Sequence, residues 1–334
     1  MNDVVTPLDP SNILLLATGG TIASEVYPAG RKNFASSGGT IEALLQTVGG
    51  NWPNLRGEQL AAIGSQDVNL ALWRHLGARI DQAFSAEDID AVVITHGTDT
   101  MEETAFLLDL ITSPDKVVIL VGAMRAANAL GAEGPRNLVA AIRVAADAAT
   151  KARGVLVVMN DTILDARSMT KADTMAVDAF RSVRGPIGRA SPSEVVYFAR
   201  PAPSISAGLL TLPPFGPLPG VGIVYCRADM DSLQAEALLS HGAAGIVLAG
   251  LGDGNIPRST LARLSEAASQ GVAVVRSTRI DGGEVSRNAE IDDETSNFIA
   301  ARDLSPHKSR LLLQLLLANG VTGTHPIQRC FDPS

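Results

Sequence analysis

Short apolar runs bounded by turn residues recur along the first part of the chain: Ile13 to Ala17, Ala91 to Thr95, Val117 to Val121 and Val155 to Met159. Hydrophobicity that is continuous rather than alternating over so few residues is the pattern of strands buried on both faces. Between them lie stretches with helical spacing. Asp99 to Ile111 has Asp99 suited to cap its start, and Gly134 to Ala149 places Leu138, Ile142 and Ala145 on one face. Strand and helix alternate, which predicts a parallel sheet flanked by helices.

The pattern breaks at residues 200–220, RPAPSISAGLLTLPPFGPLPG, where six prolines remove backbone donors and disfavour helix. Beyond it the alternation resumes, with Val221 to Tyr225, Ala244 to Leu248 and Val272 to Val275 as strands. Helices are expected near Ser232 to Ser240 and Ser259 to Ser269, and a leucine-rich one from Lys308 to Ala318. The expected fold class is α/β in two domains: a larger N-terminal domain over 1–199, a proline-rich linker over 200–220 and a smaller C-terminal domain over 221–334. A length of 334 residues supports two cores rather than one.

Composition narrows the function classes. With 46% hydrophobic and 19% charged residues and 31 glycines, the chain has the make-up of a soluble α/β protein. The formal net charge of -8, with lysines and arginines scattered singly, argues against nucleic acid or an anionic membrane as partner. No apolar run has the length needed to cross a bilayer, and Met1 to Ser11 lacks a basic segment followed by an apolar core. The expected compartment is the cytoplasm, or the periplasm had a signal peptide been removed. Cys226 and Cys330 stand in separate stretches and read as reduced structural thiols.

Two loops carry candidate chemistry. The first strand runs into ATGGTIA, residues 17–23, so Gly19, Gly20 and Thr21 fall at the carboxyl edge of a parallel sheet, where ligand crevices form. The stretch has neither the three-glycine dinucleotide pattern nor a Gly-Lys-Ser/Thr ending. Thr21 fits a chemical role or an ordinary turn hydroxyl. The second loop, ITHGTDTMEE over residues 94–103, again follows an apolar strand and opens a helix. Its Thr98 and Asp99 lie where free helix N–H groups receive an anion or a developing oxyanion, and where a carboxylate can hold an ammonium group. Asp99 equally fits a plain N-cap. His96, without a metal partner at suitable spacing, reads as structural.

Together the loops bring a family into view. The chain resembles the bacterial L-asparaginases, specifically the longer type II group, over almost its whole length. The motifs that carry the resemblance are ATGGTIA, GSQDVN at 64–69, VITHGTDTMEET at 93–104, VGAMR at 121–125, RGVLVVMNDTILDAR at 153–167 and MTKAD at 169–173, in the family's order. The resemblance implies a flavodoxin-like N-terminal domain carrying the nucleophile and a Rossmann-like C-terminal domain that completes a neighbour's site in a homotetramer. By the same resemblance, Thr21 is the nucleophile that forms a β-aspartyl ester from L-asparagine, with Gly20 beside it in contact with the substrate. Thr98, Asp99 and Lys171 form a second group that moves protons. Ser65 and Gln66 take the substrate's α-carboxylate, Asp99 its ammonium group, and Ala123 lines the amide pocket. Asn255 and Glu290 reach the neighbour's substrate. No metal, nucleotide or organic cofactor is implied.

Chemistry accords with these roles. A zwitterionic amino acid needs donors at one end and carboxylates at the other. A threonine hydroxyl is a weak nucleophile that needs a nearby acceptor. Lys171 can serve by carrying a proton or as a fixed charge. The chain departs from the family at one place: an ungapped reading puts Phe34 where the family has a loop tyrosine that assists the nucleophile. Tyr27 takes that role only if the loop between Ala23 and Gly38 is rearranged. The competing functions are therefore a glutaminase-asparaginase of mixed specificity and a weakly active or idle amino-acid binder. An amidase subunit of a tRNA amidotransferase would need a basic surface or an added domain, and the sequence carries neither.

Overall fold

A computed structural model describes residues 11–26, 34–35, 40–48, 52, 54–201, 208 and 210–332, with 25, 26, 34 and 35 described by their main chain alone. The chain divides into two compact units, Met1–Pro203 and Ser204–Ser334.

Unit one runs β1 (Ile13–Gly19), β2 (Glu25–Val26), β3 (Phe34–Ala35), α1 (Ile41–Val48), β4 (Leu55–Ile63), α2 (Leu70–Ala86), β5 (Ala91–Thr95), α3 (Met101–Ile111), β6 (Val117–Val121), α4 (Gly134–Ala146) and β7 (Val155–Met159). It continues with β8 (Thr162–Asp165), β9 (Met169–Lys171), β10 (Phe180–Ser182), β11 (Gly188–Ala190) and β12 (Val195–Tyr197). An eight-stranded sheet has the order β12-β11-β8-β7-β6-β5-β1-β4. Its parallel part, β4-β1-β5-β6-β7, is the flavodoxin-like order, in which the strand order reverses between β1 and β5. That reversal opens a crevice at the carboxyl ends of those two strands.

The apolar runs work as their pattern requires. In β1, Ile13, Leu15 and Ala17 pack with α1 and α4, whereas Leu14 and Leu16 pack with α2 and α3 on the other face. Strands β5, β6 and β7 are buried throughout. The sheet is not parallel to its end: β8, β11 and β12 add antiparallel strands. The β7–β8 connection is a tight turn through Asn160 and Asp161, both at positive φ, which leaves no room for a crossover helix. Helix α4 stops at Ala146 rather than Ala149, because the Asp147 carboxylate accepts the Ala149 N–H at 2.8 Å and starts a separate 3-10 turn.

Unit two has β13 (Val221–Tyr225), α5 (Leu233–Ser240), β14 (Gly245–Gly250), α6 (Arg258–Ser269), β15 (Ala273–Thr278), α7 (Asp293–Ser296), β16 (Phe298–Ala300), α8 (Pro306–Ala318) and α9 (Thr324–Phe331). Its four strands are parallel and follow chain order, so each crossover advances the sheet by one strand. Residues of α5 and α6 join the core on one face, and α8 packs against β13, β14 and β15. Strands β14 and β15 run one to three residues further than their apolar cores, and this carries the chain to the polar loops that follow them.

Candidate active site

A cleft of about 770 Å³ opens in unit one at the switch point. Gly20, Thr21 and Ser24 line it from the turn after β1; Gly64, Ser65 and Gln66 from the turn after β4; Gly97, Thr98 and Asp99 from the loop after β5. Met124, Arg125, Ala126 and Ala129 form another wall, and Lys171, Thr174 and Met175 the last.

Close backbone approach builds this cleft. Gly20 sits at φ 86, and a Cβ there would lie 2.5 Å from the Cα of Gly97. A Cβ on Gly97 would in turn lie 2.7 Å from Ser65 Oγ. Three loops therefore cross through two glycines, and side chains at either position would push them apart. The turn that follows Gly20 is tied by Ser24, whose hydroxyl donates to Gly20 O at 2.9 Å, and Ser24 O accepts the Ala127 N–H at 2.9 Å. Thr21 begins that turn half-buried, and among the described residues no hydrogen bond reaches its hydroxyl.

Polar groups cross-link the loops. The Asp99 N–H donates to Ser65 Oγ at 3.0 Å, and Thr100 Oγ1 donates to Ser65 O at 2.7 Å. Ser65 Oγ accepts here and makes no donor bond among the described residues, so its proton can serve a ligand. Lys171, in the last position of β9 in the β9–β10 hairpin, reaches back to this loop: its Nζ donates to Thr98 Oγ1 at 2.9 Å and to Asp99 Oδ1 at 2.6 Å. The Lys171 side chain is 15% exposed and that of Asp99 61%, so the carboxylate keeps one oxygen open to the cleft. Asp99 is thus an ion-pair partner and not a helix cap; α3 starts two residues later, at Met101, with Thr100 in the cap position.

Behind the β5 loop lies a polar chain with one direction. The Trp73 Nε1–H can only donate, and does so to Thr104 Oγ1 at 3.0 Å; the Thr104 hydroxyl donates to His96 Nε2 at 3.0 Å; His96 Nδ1 then donates to Gly97 O at 2.7 Å. His96 is fully buried, and burial lowers its pKa to about 4, so it stays neutral. Its structural reading agrees with this arrangement, and it anchors Gly97. On the opposite wall, the Met124 and Arg125 N–H groups share Glu133 Oε1, the second at 3.3 Å. The rim loop after Lys171 is pinned by Asp173, whose Oδ1 accepts from Met175 N at 2.7 Å and Ala176 N at 2.8 Å. These bonds lower the Asp173 pKa.

The structure brings Gly20, Thr21, Ser65, Gln66, Thr98, Asp99 and Lys171 to one cleft. Ala123 is fully buried with Ile22 in the core, next to the wall formed by Met124 to Ala126. Asn255 and Glu290 lie in unit two and contact each other, Asn255 Nδ2 donating to Glu290 Oε2 at 2.5 Å. Tyr27 lies outside the described residues; the Phe34 main chain pairs with Val26 in the β2–β3 hairpin. Sequence reasoning did not select Ser24, Arg125, Thr174 or Met175, since none carries a distinctive spacing. Among the described residues no cluster of metal-ligating side chains is found. Nor is any described helix long and apolar enough to cross a membrane.

Fold and cleft together define an α/β enzyme with its polar site at the switch point of a flavodoxin-like sheet. The family model "Asparaginase, N-terminal" matches residues 12–203, and "Glutaminase/Asparaginase C-terminal domain" matches residues 220–331. The chain is 44% identical to L-asparaginase 2 of Escherichia coli over 96% of its length and 92% of that protein's. It is 42% identical to a probable periplasmic L-asparaginase of Haemophilus influenzae, covering 94% and 90% of the two chains. A glutaminase-asparaginase of Pseudomonas fluorescens is 35% identical over 98% and 92%. The chain belongs to the asparaginase family and is an amidohydrolase.

Proposed function

We propose that the protein hydrolyses L-asparagine to L-aspartate and ammonia through an acyl ester on Thr21, with slower action on L-glutamine. The observation that carries this reading is the convergence of Thr21, Thr98, Asp99 and Lys171 on one cleft together with a free-donor serine at its floor. Ser65, with Gln66, receives the α-carboxylate. The open oxygen of Asp99 receives the ammonium group, while its other oxygen stays with Lys171. The side-chain amide carbon then lies toward Thr21, whose hydroxyl attacks it; the amide nitrogen takes a proton and leaves as ammonia. Water on the Thr98 and Lys171 side hydrolyses the ester and restores the Thr21 hydroxyl. Splitting one amide cleavage into two steps lowers each barrier.

Asn255 and Glu290 supply the rest of the ammonium subsite to a neighbouring subunit, the proline-rich stretch 200–220 serves as linker, and the assembly is a homotetramer built as a dimer of dimers. Light scattering at working concentration tests the assembly. The two free thiols suit the cytoplasm; cell fractionation distinguishes this from a periplasmic location like that of the Haemophilus relative. A mixed specificity is the second reading, favoured by the 35% identity to a glutaminase-asparaginase. Ammonia release from L-asparagine, L-glutamine and D-asparagine separates the two. A higher kcat/KM for L-asparagine than for L-glutamine is expected, comparable values would assign mixed specificity, and no release from any of the three would leave an amino-acid binder.

A further inference from the structure

Unit two contains a buried charge pair that the reaction itself does not use. Arg276, on β15, is 1% exposed, and Asp293, at the start of α7, is fully buried. They meet as two parallel bonds, Nε to Oδ1 at 2.6 Å and Nη2 to Oδ2 at 2.7 Å. A buried pair of this kind is costly to desolvate, so its remaining donors matter. Arg276 Nη1 donates to Asp253 O at 3.1 Å and Nη2 to Ser286 O at 3.0 Å. Gly254, at φ 75, lets the guanidinium come close: a Cβ there would lie 3.0 Å from Nη1.

The two carbonyls belong to two loops. One runs from Leu251 to Asn255 and is closed by paired main-chain bonds between its ends, at 2.8 and 2.7 Å. The other runs from Ser286 to Glu290, and a further link joins them, Ser286 N donating to Asp253 Oδ1 at 2.7 Å. Asn288, at φ 53, fastens the second loop to the pair: its N–H donates to Asp293 Oδ2 at 2.9 Å and its Oδ1 accepts the Asp293 N–H at 3.0 Å. The side chains these loops carry, Asn255 and Glu290, are the ones in mutual contact.

We propose that Arg276, held by Asp293, is the positioning residue that sets Asn255 and Glu290 for the ammonium group of the substrate. The proposal rests on the reading that Asn255 and Glu290 complete a neighbour's site. A planar fork is what the arrangement needs, because it must reach a carboxylate and carbonyls of two loops at once, and lysine, whose three N–H groups radiate from one nitrogen, cannot span them.

The test is steady-state kinetics on the assembled protein, with Arg276→Lys alone and combined with Asn255→Ala plus Glu290→Gln. Arg276→Lys is expected to raise KM for L-asparagine by roughly ten- to a hundredfold, with a smaller change in kcat. In the doubly altered background it is expected to add nothing, since a group that acts through Asn255 and Glu290 loses its effect when they are gone. Asn288→Ala loosens the same loop from the surface and replaces Arg276→Lys should that variant not fold; a KM rise of the same kind is expected. A KM at the wild-type value in Arg276→Lys, or an equal loss in both backgrounds, overturns the positioning role. Unchanged kinetics in Asn255→Ala plus Glu290→Gln overturns the subsite reading beneath it instead.

Discussion

The Lys171 ammonium donates to the Thr98 hydroxyl at 2.9 Å although 73 residues separate them, and the same nitrogen is paired with Asp99 at 2.6 Å. One cation therefore sets the hydroxyl's orientation and fixes half of a carboxylate whose other oxygen remains open. Lys171→Met removes both bonds. Because Asp99 is largely exposed, the pair adds little to stability, about 1 kcal/mol or less. The expected outcome is a fall in kcat of roughly 10²- to 10⁴-fold with almost no change in Tm, and Lys171→Arg does not restore it. Paired kinetic and calorimetric measurements check the split.

The glycine crossing gives an ordered pair of stability effects. Gly97→Ala meets Ser65, chiefly its side chain at 2.7 Å and also its main-chain N at 3.1 Å, with no left-handed φ to strain, and is expected to cost about 1–3 kcal/mol. Gly20→Ala meets the Gly97 backbone, which cannot move aside, and also forces alanine to φ 86; roughly 3 kcal/mol or more is expected. Denaturant midpoints should rank wild type above Gly97→Ala above Gly20→Ala. The opposite order would mean that the loops do not cross as described.

His96 makes the fold acid-sensitive. Its pKa in the folded protein is about 4, below the 6.5 of the unfolded chain, so the unfolded state binds its proton first as pH falls. The stabilisation is present in full above pH 6.5, declines as pH drops toward 4, and amounts to about 3 kcal/mol. Unfolding free energy measured across that window should fall for wild type and fall less steeply for His96→Gln. Parallel slopes would remove His96 as the source.

How much of this was legible in the sequence follows from what each residue's role depends on. Strands β1, β5, β6 and β7 are buried on both faces, so their apolar runs declare them, and Thr21 and Thr98 follow at their ends. Strand β4 mixes half-buried and exposed positions and gives no such run, and strands β8 to β12, of three or four residues each, are too short for any period. The sequence left Asp99 between a cap and a charge partner, because the deciding group, Lys171, is brought in by the antiparallel β9–β10 hairpin. The crossing of Gly20, Gly97 and Ser65 is invisible in the chain, since it depends on three loops from three strands meeting.

The loop after Thr21 holds a further test. The ungapped resemblance expects Phe34 where the family has its tyrosine, and the Thr21 hydroxyl accepts or donates no bond among the described residues. If Tyr27 supplies the missing hydroxyl, Tyr27→Phe lowers kcat by roughly 10²-fold and leaves KM near its original value. Kinetics identical to wild type would exclude Tyr27 as the activator.

In the proposed mechanism Thr21 is the residue acylated by asparagine. Ammonia release from L-asparagine by Thr21→Ala measures it most directly. The expected result is a kcat lowered by roughly 10³-fold or more, in a protein of unchanged Tm that still binds L-aspartate. Turnover by Thr21→Ala within a few-fold of wild type would rule out Thr21 and move the nucleophile elsewhere in the cleft.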